Sequence, residues 1–179
     1  KDFFGGVCWS EWPRDICLRW GYSLDYYREK LYFDIEFQQY LQFKFFQQWL
    51  KLKAYANDKG IQIIGDMPIY VSLDSADVWS ERKEFLLDSD GHPKMVAGVP
   101  PDYFSEDGQL WGNPLYDWKR MKKDDFAWWS DRMRHMLTLF DGVRIDHFRA
   151  FASYYRIPAE APSARGGEWI KGPGKKLTD

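Results

Sequence analysis

The sequence predicts an α/β fold, and three observations carry that prediction. A helical pattern runs through a glycine into a short apolar strand twice, across 34–66 and across 125–146. Each of those strands ends in a carboxylate, Asp66 and Asp146. Between them lies a stretch, 67–124, whose aromatic residues sit among Gly, Pro and Asn rather than in a periodic array. Helix then strand, repeated, is the order of parallel sheets and barrels with right-handed crossovers.

Residues 1–25 read as irregular, with Gly5-Gly6, Trp12-Pro13 and Trp20-Gly21 interrupting any period. From Asp34 to Lys59 the apolar residues Phe37, Tyr40, Leu41, Phe45, Trp49, Leu52 and Ala56 fall at helical spacing. That stripe predicts core packing, not a binding site. Gly60 stands where a helix C-terminus favours a left-handed residue. Residues 61–66 read as a buried strand, which Met67-Pro68 ends because proline cannot continue a central strand. The excursion 67–124 follows, with Asp74 expected to cap a short helix over 75–82 and the rest expected to be mostly irregular. Loops of that length are functional or disordered, and this one is too rich in Trp, Tyr and Phe for disorder. Residues 125–140 return to helix, with Trp129, Met133, Met136, Leu137 and Phe140 along one face. Asp141-Gly142 breaks it, and 143–146 is the second strand.

Composition narrows the function. The 179 residues carry 25 basic and 27 acidic side chains, a net charge of -2, so no basic field invites nucleic acid. The apolar runs are far short of a membrane span and no secretory leader opens the chain, which predicts a cytoplasmic protein, or a plastid one if an upstream transit peptide was removed, with no membrane partner. Cys8 and Cys17 form no metal set; a disulfide between them stays open, and reduced thiols are the simpler expectation. The chain starts at Lys1 rather than Met and stops just after Gly172-Pro173-Gly174, which suggests one partial domain over 1–179 cut from a longer protein. Aromatic residues reach 19%, and many lie outside periodic segments. Such rings suit flat apolar ligand faces, and without basic charge sugars are favoured over nucleobases.

The candidate site begins with Arg144-Ile145-Asp146-His147-Phe148-Arg149. Residues two apart share a strand face, so Arg144 and Asp146 point the same way. A nucleophilic carboxylate must stay ionised, and a guanidinium beside it favours that form. A structural ion pair fits the same spacing. If the two strands are parallel neighbours, Asp66 lies at the same rim as Asp146. The excursion offers Pro100-Pro101-Asp102-Tyr103-Phe104-Ser105 and Gln109-Leu110-Trp111-Gly112-Asn113-Pro114, rings for stacking and polar groups for hydroxyls. Each item has a plainer reading. Asp66 reads as a turn residue before Pro68, Tyr103-Phe104 as a pin holding the loop to its own domain, and His147 as a satisfied core histidine. Gly108 and Gly112 need do no more than permit tight turns. P-loop, dinucleotide, HExxH and Gly-x-Ser-x-Gly patterns are absent.

Three blocks in order resemble the 4-α-glucanotransferases, or amylomaltases, of the α-amylase superfamily. They are Gly65-Asp66-Met67-Pro68-Ile69-Tyr70-Val71, the Pro-Pro-Asp-Tyr-Phe-Ser to Trp-Gly-Asn-Pro stretch, and 144–149. The resemblance spans essentially the whole chain. It implies part of a (β/α)8 TIM barrel, about strands three and four, with a long aromatic loop insertion. It implies Asp146 as catalytic nucleophile and Arg144 as its electrostatic partner. Asp66 and His147 would bind the sugar at the cleaved position, and Tyr103, Phe104, Gln109 and Trp111 would line the glucan path. The implied reaction is retaining transfer of α-1,4-glucan segments between maltooligosaccharide donor and acceptor, with no cofactor and no metal. An α-glucan hydrolase of the same superfamily and a non-catalytic glucan-binding protein remain open. A retaining mechanism needs a second carboxyl about 5–5.5 Å from the first. In the family that Glu lies in a block beyond residue 179, and Glu160 and Glu168 do not match its motif.

Overall fold

The computed structural model describes residues 1–178. Its helices are α1 (Arg14–Cys17), α2 (Gly21–Lys30), α3 (Tyr32–Asp58), α4 (Ala76–Ser80), α5 (Trp118–Met121), α6 (Ala127–Leu139) and α7 (Lys175–Thr178). Its strands are β1 (Ile64–Pro68), β2 (Met95–Val99), β3 (Gln109–Pro114), β4 (Gly142–Asp146), β5 (Ser153–Pro158) and β6 (Glu168–Lys171). The fold is mixed α/β and divides into two compact units. One holds Lys1–Leu18, Pro68–Trp128 and the chain from His147 onward; the other holds Arg19–Met67 and Trp129–Asp146.

In the second unit, α3 and α6 each lead into one strand of the β1–β4 pair. Gly60 ends the α3 segment at φ 75°, the left-handed geometry its position predicts. One carboxylate then fixes how the strands meet. Asp141 Oδ2 accepts the Ile63 N–H at 2.8 Å and the Asn57 side-chain amide at 2.9 Å. The Asp141 N–H donates to the Ile63 carbonyl at 2.9 Å. Lys53 Nζ adds charge 3.4 Å from Asp141 Oδ1. Three residues further along both strands, Arg144 meets Asp66, so contacts advance in the same sense and the pair is parallel. Gly65 is required here: a Cβ on it would lie 2.3 Å from the Phe140 ring.

The α3 stripe, expected as core, is little covered within these residues. Within the chain no α3 residue is buried, and Phe37 is 57% and Leu52 54% exposed. Phe43 and Leu50 place further exposed apolar groups on the opposite side of the helix. A helix apolar on every side has no single face for periodicity to select. The side that does pack is that of Trp49, whose indole N–H donates to the Leu139 carbonyl at 2.8 Å and whose ring meets Phe140 edge-on.

The first unit is built on a four-stranded antiparallel sheet, order β3-β2-β5-β6. Val96, Tyr155, Ile157 and Ala164 form a core cluster on it. A Cβ on Gly98 would lie 2.2 Å from the Gln109 carbonyl oxygen, so β2 reaches β3 only with glycine there. These strands correct the expectation of mostly irregular structure across 67–124. Val96-Ala97-Gly98-Val99 is too short and too glycine-broken to alternate, and Gly112, Asn113 and Pro114 disguise β3 as a turn. The strand expected at 61–66 spans Ile64–Pro68, because Ile63 is committed to Asp141. Ser75, not Asp74, caps α4: its hydroxyl accepts the Val78 N–H at 3.2 Å, while Asp74 pairs with Lys1. Both cysteines are free thiols.

A buried carboxylate ties the excursion to α5. Glu84 is 2% exposed, its carbonyl accepts the Asp117 N–H, and its Oε1 lies 3.3 Å from Arg120. Its Oε2 has no hydrogen-bond partner among the described residues.

Two stability predictions follow from these carboxylates. The Ile63 N–H first, then the Asn57 amide and Lys53, hold Asp141 below the usual carboxylate range. Its contribution is therefore present above the ordinary carboxylate pKa and lost as pH falls through the depressed folded value. Asp141→Ala should lower the melting temperature clearly at pH 7 and much less at pH 2; an equal drop at both contradicts the clamp. Burial pushes Glu84 the other way, upward, against the opposing pull of Arg120. Its contribution is full below the ordinary pKa and lost as pH rises through the raised folded value. Arg120→Ala should cost about 1–3 kcal/mol in urea denaturation at pH 7 and less at pH 4.

Candidate active site

Arg144 and Asp146 occupy one face of β4, as alternation requires. The guanidinium donates from one terminal nitrogen to Asp146 Oδ1 at 2.8 Å. Its other terminal nitrogen lies 3.4 Å from Asp66 Oδ2 on the neighbouring strand β1. One planar cation thus bridges two carboxylates from two strands, and the fork geometry of guanidinium fixes both. The three side chains are about 60% exposed, at 64%, 59% and 59%. Solvated pairs of this kind contribute little stability. The bridge engages one oxygen of each carboxylate and leaves the other outside it.

His147 begins the chain's return to the first unit. Its backbone is left-handed, φ 56°, which turns the chain sharply out of β4, and its carbonyl accepts the Ala150 N–H. Left-handed geometry in a non-glycine residue costs roughly 1–2 kcal/mol. The imidazole stands edge-on to the Trp111 indole, ring centroids 4.9 Å apart. Trp111 Nε1 donates to Gln109 Oε1 at 3.0 Å, and the indole is tilted against Tyr70 at 6.3 Å. Tyr70 is buried, and burial raises its phenol pKa.

Tyr103 and Phe104 project from the turn before β3, 97% and 92% exposed, with rings perpendicular at 5.6 Å. They do not pin the loop to its own domain. Gly108, at φ 67°, lets the chain return past the Val99 carbonyl, where a Cβ would come within 2.5 Å.

The geometry thus brings Asp66, Arg144 and Asp146 together in one unit, and Gln109, Trp111 and His147 together in the other. Two polar residues expected to meet hydroxyls are already engaged. Asn113 Nδ2 donates to the Val71 carbonyl, and Asp102 Oδ1 accepts two backbone N–H groups. Sequence reasoning missed Asp141, which reads only as a helix-ending turn residue. No spacing rule connects it to Ile63.

Over residues 1–179 the chain matches the family model described as 4-alpha-glucanotransferase. A 4-alpha-glucanotransferase of Streptococcus pneumoniae (strain ATCC BAA-334) is 52% identical over 99% of this chain and 35% of its own length. The chloroplastic/amyloplastic 4-alpha-glucanotransferase of Solanum tuberosum is 51% identical over 97% of this chain and 30% of its own length. The solved amylomaltase of Streptococcus agalactiae, in complex with acarbose, is 47% identical with a TM-score of 0.96, covering 99% of this chain and 36% of that one. The chain spans about a third of the length of the curated relatives it matches. A family match from end to end, with relatives near half identical, leaves one conclusion: the chain belongs to the 4-alpha-glucanotransferase family.

Proposed function

We propose that the protein carrying this chain transfers α-1,4-glucan segments from a maltooligosaccharide donor to a second maltooligosaccharide, by a retaining mechanism with Asp146 as nucleophile. The single observation that supports this most is the Arg144 bridge, which presents two carboxylates from adjacent parallel strands in a chain of this family. In this reading β1 and β4 are about the third and fourth strands of a TIM barrel, whose C-terminal strand ends carry catalytic groups.

The chemistry balances in two displacements. Asp146 attacks the anomeric carbon, the bond from that carbon to the 4-oxygen of the next sugar breaks, and a general acid protonates the departing hydroxyl. A second glucan's 4-hydroxyl then attacks the same carbon, gives its proton back to that acid's conjugate base, and releases Asp146. Two inversions retain the configuration. Asp66 hydrogen-bonds the sugar at the cleaved position. We place the acid in the part of the protein outside these residues, since the chain covers only 35% of its pneumococcal relative's length. His147 donates to a sugar hydroxyl, while Gln109 and Trp111, with Tyr103 and Phe104, line the glucan path. Rings over a sugar chain limit water, which favours transfer over hydrolysis. A cytoplasmic location fits this reading, as does the plastid that the potato relative's name records for that protein.

Incubating the full-length protein with maltotriose should give glucose together with maltotetraose and longer chains. Glucose and maltose with nothing longer would identify a hydrolase instead, and binding without turnover a glucan-binding protein. Asp146→Asn should lower turnover by about 10⁴-fold or more with little change in melting temperature. An active Asp146→Asn protein refutes the nucleophile.

A further inference from the structure

We propose that Asp102 is a positioning residue that holds the Tyr103–Phe104 ring pair ready for a glucan; this rests on the glucan reading given above. Asp102 Oδ1 accepts the Phe104 N–H and the Ser105 N–H, both at 2.9 Å. Its own N–H donates to the Ser105 carbonyl at 3.0 Å, which also accepts the Gly108 N–H at 3.1 Å. The Ser105 hydroxyl closes the loop by donating to the Gly108 carbonyl at 2.7 Å. Outside this knot, Asp107 anchors the turn: its carboxylate accepts from Arg165 at 2.7 Å and its carbonyl accepts the Ala164 N–H at 3.0 Å. These polar groups of the loop are thus engaged within the turn and with its neighbours at 164–165.

What that rigidity presents is two large rings packed on little but each other, at 97% and 92% exposure. Aromatic rings left in water on a mobile loop would fold back onto nearby apolar surface. Here the two carboxylate-held N–H groups belong to Phe104 and to the residue after it, so the backbone that carries the rings is the part that is pinned. A pre-ordered ring pair meets the flat apolar face of a sugar without paying its ordering entropy on binding. The role therefore belongs to substrate affinity rather than to the bond-making step. Asparagine keeps an oxygen in the same place and can accept the same two N–H groups; alanine cannot.

The test uses the full-length protein with maltotriose as the probe. Asp102→Ala should raise KM about tenfold with kcat within a factor of two, while Asp102→Asn recovers most of the wild-type KM. Hydrogen exchange at the Phe104 and Ser105 amides should speed up in Asp102→Ala and not in Asp102→Asn. Tyr103→Ala combined with Phe104→Ala should raise KM at least as much. If the ring variant raises KM but Asp102→Ala does not, or if Asp102→Asn is as impaired as Asp102→Ala in both readouts, positioning by Asp102 is overturned and the glucan reading stands. If the ring variant leaves KM unchanged, the rings do not bind glucan and the proposal falls with that assignment. Should Asp102→Ala fail to fold, Ser105→Ala loosens the same knot by removing its hydroxyl bond and should shift KM and amide exchange in the same direction; unchanged values overturn the proposal.

Discussion

The Asp141 carboxylate accepts from Ile63 and Asn57 while its backbone N–H donates to the Ile63 carbonyl, so a single residue ties the start of β4 to the start of β1. Register is the quantity this controls. A slip of one residue in a strand pair turns every side chain to the opposite face. With the clamp in place, Arg144 stands level with Asp66 and one step from Asp146 on its own face, and its two nitrogens reach both. Without that alignment the guanidinium would have one carboxylate at most. The positioning is inexpensive because it uses backbone groups that the strand ends would otherwise leave to water.

The chain shows two ways of placing a side chain without burying it. Arg144, Asp66 and Asp146 are solvated, and their mutual attraction is worth little in water. Their geometry comes instead from strand pairing and from Gly65, whose missing Cβ admits Phe140 against β1. Tyr103 and Phe104 are likewise solvated, and their geometry comes from a hydrogen-bonded turn closed by Gly108. Backbone constraints do the placing in both cases, which leaves the charged and aromatic groups free to meet a ligand.

Several parts of this arrangement were legible in the sequence. The two helix–glycine–strand junctions stand out because each is a local pattern: a period, a residue that permits left-handed geometry, and a short apolar run. The shared face of Arg144 and Asp146 follows from alternation alone. Other parts were not legible, for reasons that differ. Residues 95–99 and 109–114 pair with strands far away in sequence, and their own glycine and proline content argues for turns. The α3 stripe has the right period but carries apolar groups on its other faces too, so periodicity cannot say what packs where. Asp141 and Asp102 are both residues that composition rules assign to turns; that each grips particular N–H groups depends on where the chain brings those groups.

The claim on which the account turns is that Asp146, aligned by Arg144, forms the bond to the sugar. Trapping that bond tests it most directly. The full-length protein would be incubated with an α-maltotriosyl fluoride whose reducing-end sugar carries a second fluorine at carbon 5, a reagent that forms the glycosyl-enzyme and slows its release. Digestion and mass spectrometry would then locate the label. The account predicts a maltotriosyl adduct on the peptide containing 144–149, with fragmentation placing it on Asp146. An adduct on any other carboxylate, Asp66 included, would contradict it.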